Sequence, residues 1–137
     1  MRNLLSLLLF VCALPVLGQN RVKLDWSNQK VQLFAKEVYN DQTQYLTPEH
    51  IEIYQAFVDR IEVITVSKAE LDNGNYPLIS TLGLINKYNI DLDYDKGPNF
   101  DINTFNPLKY FWIMKQDGSS EYYRIYGENY LIRLLPN

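Results

Sequence analysis

Apolar and polar positions alternate with the period of a helix most clearly in LTPEHIEIYQAFVDR, residues 46–60. The apolar positions that share one helical face are Ile51, Tyr54, Phe57, Val58 and Ile61. Thr47 is a typical N-cap residue, and proline is favoured at the first helical position, which Pro48 would occupy. The pattern therefore predicts one main amphipathic helix over about 47–61.

Other segments carry readable patterns before the C-terminal third. Residues 21–26 (RVKLDW) alternate apolar and polar side chains, which predicts a half-buried strand. Residues 61–66 (IEVITV) are mostly β-branched and predict a second strand. Residues 30–39 (KVQLFAKEVY) fit either a helix or a strand. Turn-forming residues dominate 67–107, where we expect short extended pieces or one short helix.

The C-terminal third predicts a three-strand meander over 109–115, 121–126 and 130–135. Turn residues separate these apolar runs, beginning with Asp117 and Gly118. An Asp-Gly pair between two apolar runs is a strong hairpin signal, so neighbouring strands should be antiparallel. Together with the helix, the pattern predicts an α+β fold in which one main helix packs on an antiparallel sheet that ends in the meander.

Composition supports a sheet-containing domain. The chain of 137 residues contains 11 tyrosines, whereas residues 19–137 contain only three alanines. Few alanines and many β-forming residues argue against a helical bundle. Residues 19–137 are enough for one domain with a buried core and too few for two.

The N-terminus has the three parts of a secretory signal peptide. A short basic start is followed by an apolar run over residues 4–14, and the small residue Gly18 closes the region. The run is shorter than the roughly 20 apolar residues that span a bilayer. We therefore expect residues 1–18 to be removed. The mature domain, 19–137, should have no membrane span and be exported to the periplasm or the extracellular space.

Charge and cysteine content exclude several function classes. Removal of residues 1–18, which include Arg2, leaves 12 Lys and Arg residues against 16 Asp and Glu, a net charge of −4. This acidity argues against nucleic-acid partners and anionic membrane surfaces, which require basic patches. Cys12 is the only cysteine and should leave with the signal peptide. We therefore expect the mature chain to form no disulfide, to catalyse no reaction through a thiol and to bind no zinc through cysteine.

Residues 91–101 (DLDYDKGPNFD) resemble a calcium-binding loop with aspartates at alternate positions. The aspartates are Asp91, Asp93 and Asp95. An EF-hand loop needs glycine at its sixth position and a bidentate glutamate at its twelfth, where this chain has Lys96 and Ile102. The alternation is also typical of a strand with one wet face. We interpret the segment as a solvated edge and expect no metal and no cofactor.

Catalytic candidates are few. His50 is the only histidine, and residues two apart do not share a helix face, so Glu52 would not orient it as a general base. Neither a second histidine nor a catalytic cysteine is present to complete a triad. A carboxylate pair stays open, because glycoside hydrolysis needs only two acids at a set distance. We expect no enzyme; the alternatives are a small carboxylate-based hydrolase and a calcium-binding protein that uses the three aspartates.

The aromatic residues of the meander are the strongest functional hint. Five side chains alternate so that they share one face of two neighbouring strands: Tyr110, Trp112, Tyr122, Arg124 and Tyr126. Such a face would bind a glycan, a peptide or an envelope protein, because tyrosine and tryptophan provide rigid amphipathic contact area. The alternative is that the loops of 67–107 cover this face, since large exposed apolar patches are uncommon.

Three segments carry a resemblance to a known group: NKYNIDLD (86–93), FNPLKYFW (105–112) and YYRIYGENYLIRLLP (122–136). The chain resembles an uncharacterised family of short exported proteins of flavobacterial, Bacteroidota type. That family has N-K-Y-N and F-N-P-L-K-Y segments and a C-terminal Y-Y-R hairpin. The resemblance implies export but no activity. We interpret the chain as an exported, non-catalytic binding or envelope-accessory protein.

Signal cleavage predicts the mass of the exported protein. When the full chain is expressed in a Gram-negative host, we expect intact-mass analysis to find a chain that begins at Gln19. A Gly18→Trp variant is the control, because a large residue before the cleavage site should prevent processing. Retention of Met1 in the exported wild-type protein would contradict the prediction.

Overall fold

The computed structural model describes residues 20–98 and 100–137, so the predicted signal peptide, residues 1–18, lies outside the described residues. The α-helices of the described chain are α1 (Asn28–Tyr39), α2 (Pro48–Val58) and α3 (Lys68–Asn73). The strands are β1 (Asn20–Arg21), β2 (Ile61–Thr65), β3 (Gly83–Leu84), β4 (Tyr110–Phe111), β5 (Glu121–Arg124) and β6 (Tyr130–Leu134). The predicted α+β class is confirmed.

Helix α2 confirms the main helix of the sequence pattern. Thr47 is its N-cap, and the Thr47 hydroxyl accepts a hydrogen bond from the backbone N–H of His50 (3.4 Å). Ile51 and Val58 are buried, as the apolar stripe predicts. The helix ends at Val58 and not near residue 61, because Ile61 already begins β2.

Helix α1 resolves the ambiguous segment 30–39. Ser27 caps it, since its side chain accepts a hydrogen bond from the backbone N–H of Lys30 (3.3 Å). The buried stripe of α1 consists of Val31, Phe34, Ala35 and Val38. These side chains form one apolar cluster with Ile51 and Val58 of α2, so the packing of the two helices selects helix over strand.

Helix α3 lies where the sequence pattern predicts turns and short pieces. It begins with a capping box, in which Ser67 Oγ accepts from the Glu70 N–H (3.1 Å) and the Glu70 carboxylate accepts from the Ser67 N–H (3.3 Å). Leu71 is buried against Ile64 and Leu131 of the main sheet. The Ser-x-x-Glu spacing is the sequence signal for this helix.

The main sheet has four antiparallel strands in the order β1–β2–β6–β5. Strand β2 confirms the strand predicted over 61–66, and β5 and β6 confirm the last hairpin of the predicted meander. The strand predicted over 21–26 pairs only at its start, although the Val22 N–H still donates to the Val63 carbonyl (2.8 Å). In this order β6 lies between β2 and β5, so both of its edges are paired.

The first strand of the predicted meander, 109–115, does not join the other two. Strand β4 pairs with β3 in a separate two-stranded sheet. The last residue of β5 has a different neighbour, since the Arg124 N–H donates to the Pro77 carbonyl (2.9 Å), and just beyond the strand Lys96 forms a parallel bridge with Tyr126. The predicted Asp-Gly hairpin is therefore wrong, because the strand before the turn pairs with β3 and not with β5.

The core has three apolar clusters. One face of the main sheet packs with Phe105 and Tyr110, and the other face packs with α3. The third cluster lies between α1, α2 and the segment that precedes β4. Trp26 and Phe57 pack against both the helical cluster and the sheet cluster, and so join the helical pair to the sheet.

We call residues 91–101 of the sequence the calcium-like segment. Its Gly97 lies beside the turn between β5 and β6. The Gly97 N–H donates to the Tyr126 carbonyl (2.7 Å), and Gly127 in the turn has φ +78°. A Cβ atom on Gly97 would lie 3.1 Å from the Tyr126 carbonyl oxygen and 2.9 Å from Glu128 Oε1. This close approach of two backbones accounts for a glycine in the segment.

We expect Gly97→Ala to lower the free energy of unfolding by about 1–3 kcal/mol, because the added methyl group overpacks against the Tyr126 carbonyl. Urea denaturation measures the change. The same substitution in a Glu128→Ala background should retain most of the loss, since the backbone contact remains. A loss that vanishes in that background would place the steric conflict on the Glu128 side chain and contradict the backbone explanation.

Candidate functional site

The residues predicted to share one face lie in separate places. Tyr110 is in β4 and Trp112 follows it, whereas Tyr122 and Arg124 are on β5 in the other sheet. Tyr110 is buried, and Trp112 Nε1 donates to the Pro107 carbonyl (2.7 Å). The prediction of one shared face is therefore wrong, because it depends on a hairpin that does not form.

Tyr122 and Arg124 lie against α3 and the segment that follows it. Tyr122 packs on Tyr76, with ring centroids 5.9 Å apart. Arg124 Nη1 donates to a carbonyl of α3 (3.5 Å). The alternative reading, in which part of 67–107 covers this face, is correct for these two residues. Tyr126 stands apart and is 67 % exposed.

The aspartates of the calcium-like segment have separate partners. Asp91 is exposed, and Asp93 pairs with Lys96 (3.5 Å). Asp95 pairs with Lys109 (3.0 Å) and is largely buried. In the described part of the chain, no three His, Cys, Asp or Glu side chains are grouped around a position for a metal ion. The first two aspartates face solvent, as the wet-edge interpretation predicts, whereas Asp95 does not.

Tyr110 completes the ion pair of Asp95 and Lys109. The Tyr110 hydroxyl donates to the Asp95 carboxylate, and the Asp95 backbone N–H donates to the Tyr110 oxygen (2.9 Å). Burial and the neighbouring Asp95 charge raise the pKa of Tyr110, so the hydroxyl keeps its proton and remains a donor. These contacts tie the calcium-like segment to β4.

His50 belongs to the cap of α2. Its Nδ1 lies 2.8 Å from Thr47 Oγ1, and its ring centroid lies 6.1 Å from that of Tyr45 and 6.2 Å from that of Tyr54. The side chain is therefore engaged with the cap and with neighbouring tyrosine rings. No periodicity in the sequence marks these rings as neighbours.

Tyr39, Tyr45, Tyr54 and Tyr88 pack together, and we call them the tyrosine cluster. Tyr39 stacks on Tyr45 (centroids 4.8 Å apart, planes at 21°) and on Tyr54 (5.7 Å, 14°). The hydroxyls of Tyr45 and Tyr88 are 3.1 Å apart, and the Tyr54 hydroxyl donates to the Tyr45 carbonyl (3.0 Å). Sequence reasoning misses this cluster because four different parts of the chain each supply one ring.

Two asparagines hold residues 86–89 (NKYN) against the end of α1. The Asn89 side chain donates to the Glu37 carbonyl (2.7 Å), and the Asn40 side chain donates to the Tyr88 carbonyl. Asn40 has φ 51° and ψ −121°, and at this residue with positive φ the chain leaves α1. These contacts place the Tyr88 ring in the tyrosine cluster.

A third asparagine holds residues 105–110 (FNPLKY) against α1. The Asn106 side chain is buried and donates to the Phe34 carbonyl (3.0 Å) and the Glu37 carboxylate (2.8 Å). Its oxygen accepts from the Leu108 N–H (3.0 Å). Both donors and the acceptor of this buried amide are therefore used, which orients the chain as it enters β4.

The tyrosine cluster lines a surface groove between the helical pair and the β3–β4 sheet. Two open cavities of about 270 Å³ and about 370 Å³ adjoin there, and Tyr39, Ile85 and Phe111 line both. The smaller cavity is completed by Tyr54, Phe57, Leu108, Tyr110, Trp112 and Met114. The larger is completed by Tyr45, Leu84, Asn86, Lys87 and Tyr88. We call the two cavities together the aromatic groove.

Phe111 lies where the two cavities meet. Its partner in β3 is Gly83, where a Cβ atom would lie 3.1 Å from the Phe111 ring. The ring therefore rests over glycine backbone, and 59 % of the residue remains exposed. The other aromatic residues of the groove are buried or half-buried, so Phe111 provides its most accessible aromatic surface.

Lys87 is the only charged side chain among the described residues that line the aromatic groove. Its Nζ lies 5.2 Å from the centroid of the Tyr88 ring. The hydrogen bond with Tyr45 and the nearby Lys87 ammonium hold the pKa of Tyr88 below its usual range. The chain has 16 Asp and Glu residues, yet none is part of this described lining. The described lining of the groove thus carries one cationic residue and no acidic one.

A cavity of about 400 Å³ lies elsewhere, at the open end of the β5–β6 hairpin. It is lined by Arg60, by parts of residues 114–121 and by the last residues of the chain. Arg60 already donates to the Leu135 carbonyl from Nε (3.1 Å) and Nη2 (2.8 Å). No aromatic residue is among the described residues that line this cavity, so it lacks the aromatic surface of the groove.

Comparisons of the chain with protein-family models, with curated proteins and with solved structures found no match. Among the described helices, none combines the length and the apolar character needed to cross a bilayer. The function therefore has to be inferred from the groove itself.

Buried tyrosines predict a loss of stability in alkali. Burial is the main cause of the raised pKa of Tyr54, Tyr110 and Tyr123. These phenols ionise at about pH 10 in the unfolded chain. Above that pH the folded state binds more protons than the unfolded state, so the free energy of unfolding should fall as pH rises. Below about pH 10 this contribution to stability is fully present.

Urea denaturation from about pH 8 to about pH 11 measures the effect. Tyr110→Phe should reduce the alkaline loss, whereas Tyr126→Phe, at an exposed position, should leave it unchanged. An alkaline loss of the same size in wild type and Tyr110→Phe would contradict the assignment to Tyr110.

Proposed function

We propose that the mature chain is an exported, non-catalytic binding or envelope-accessory protein that holds its ligand in the aromatic groove. Phe111 carries this proposal, because it is a large apolar residue left 59 % exposed where two cavities adjoin. Exposed apolar surface that is continuous with a concave, aromatic-lined site is typical of ligand grooves.

Hydrogen bonds that hold the lining in place support a preformed site. Asn106 fixes the segment that enters β4, and Asn40 and Asn89 fix the segment that carries Tyr88. Phe111 is positioned over Gly83. Side chains constrained in this way lose little conformational entropy when a ligand binds, which favours affinity.

The aromatic packing favours an apolar or peptide ligand over a glycan. The rings of Tyr45 and Tyr54 each stack on Tyr39, which occupies one face of each of them. Trp112 packs edge to face with Tyr110, at 5.9 Å between centroids, and its Nε1 is already bonded. A sugar ring needs open aromatic faces with hydrogen-bonding groups around them. In the aromatic groove the most accessible aromatic surface is the single exposed ring of Phe111.

The positions of the polar groups support binding over hydrolysis. A carboxylate pair has to face the substrate from two sides, and the described lining of the aromatic groove contains no carboxylate. His50 is engaged with Thr47, and Asp95 is engaged with Lys109 and Tyr110. These groups serve the helix cap and the attachment of the calcium-like segment.

A neutral apolar fluorophore tests the groove directly. N-phenyl-1-naphthylamine should bind the folded protein with increased emission. Phe111→Ala should weaken its binding by about ten- to a hundredfold, because the apolar contact of one large side chain is worth about 1.5–3 kcal/mol. Tyr126→Ala removes a similarly exposed aromatic ring outside the groove and should leave binding unchanged.

Urea midpoints close to wild type in both variants would show that neither substitution unfolds the domain. Binding that is lost equally in the two variants, or retained in Phe111→Ala, would contradict the proposed site.

A further inference from the structure

We infer that the aromatic groove binds the C-terminal end of a peptide chain. The last apolar side chain of that peptide enters the smaller cavity beside Phe111, and the terminal carboxylate lies at Lys87. This inference rests on the proposed function and adds the class of ligand to it.

The charge of the lining selects an anionic group. Lys87 has no ion-pair partner in the described part of the chain, and no carboxylate shares the groove with it. The mature chain otherwise has a net charge of −4 and repels anions as a whole. A lysine kept apart from acids beside an apolar cavity therefore favours one carboxylate at this position.

Polar groups next to Lys87 match the backbone of a peptide end. Asn86 lines the same cavity, and its side-chain amide carries both a donor and an acceptor. Tyr45 and Tyr88, whose hydroxyls are paired with each other, line that cavity as well. A peptide end presents a carboxylate and, on the other side of the same Cα atom, an amide N–H. The larger cavity is thus lined by one cationic residue and by residues that carry neutral hydrogen-bonding groups.

The smaller cavity matches one large apolar side chain. Its described lining contains no charged residue, and its volume of about 270 Å³ lies just below the roughly 300–1,000 Å³ typical of small-molecule pockets. It is open to solvent, so a long acyl chain would leave much of its length in water. Met114 at its rim is partly exposed and flexible, and so adapts to side chains of different shape.

Matched peptides test the role of the carboxylate. The probes are acetyl-Gly-Ser-Gly-Ser-Phe with a free C-terminal carboxylate and the same peptide with a C-terminal amide. By isothermal titration calorimetry, wild type should bind the acid about tenfold more tightly than the amide, as expected for one charge-assisted hydrogen bond. Lys87→Gln should make the two affinities equal. Lys23→Gln, which removes an exposed lysine outside the groove, should preserve the ratio.

Phe111→Ala should weaken both peptides equally, because it removes the apolar contact and leaves the cation. Equal affinity of wild type for acid and amide would overturn the inference. So would absence of peptide binding while N-phenyl-1-naphthylamine still binds, and in both cases the proposed function would stand. Dodecanoate binding that depends on Lys87, without peptide binding, would assign the groove to acyl carboxylates and also overturn it. Loss of the neutral fluorophore as well would refute the proposed function.

Discussion

One buried amide links the two walls of the aromatic groove. Asn106 uses both of its N–H donors on α1 and accepts a hydrogen bond from the backbone that leads into β4. A buried amide without such partners would cost about 1–3 kcal/mol for each unsatisfied group. Residues 105–110 therefore have one strongly favoured position against α1. In that position β4 pairs with β3, and the Phe111 ring lies over Gly83 beside the tyrosine cluster.

Residues 105–110 also contact a part of the chain outside α1. Lys109 and Tyr110 hold Asp95, which attaches the calcium-like segment. That segment continues to Gly97, whose backbone contacts the turn between β5 and β6. A chain of contacts thus leads from α1 through residues 105–111 to the β5–β6 hairpin. The acidic, glycine-containing pattern that resembles a metal loop is accounted for by an ion pair and a close backbone contact.

Local signals in the sequence were sufficient where the interaction partners are neighbours along the chain. The cap at Thr47 and the apolar stripe behind it predict α2, and the alternation of 121–135 predicts the β5–β6 hairpin. The Asp-Gly turn forms too: Asp117 accepts from the Ser119 N–H (2.9 Å), and Gly118 has φ +76°. Its flanking segments nevertheless do not pair, because β4 pairs with β3 and the end of β5 has a different neighbour at Arg124. A turn signal specifies the turn and does not specify which strands compete for an edge.

By itself the sequence determined the α+β class, the main helix, the central strand β2 and the last hairpin, because each depends on periodicity and caps within one short segment. Only the tertiary structure decided where the aromatic residues meet. The tyrosine cluster takes one ring from each of four segments, and Phe111 reaches it through the pairing of β4 with β3. Pairings between distant segments depend on which edges and apolar faces remain free after the rest of the chain has packed. No spacing along the chain records that competition.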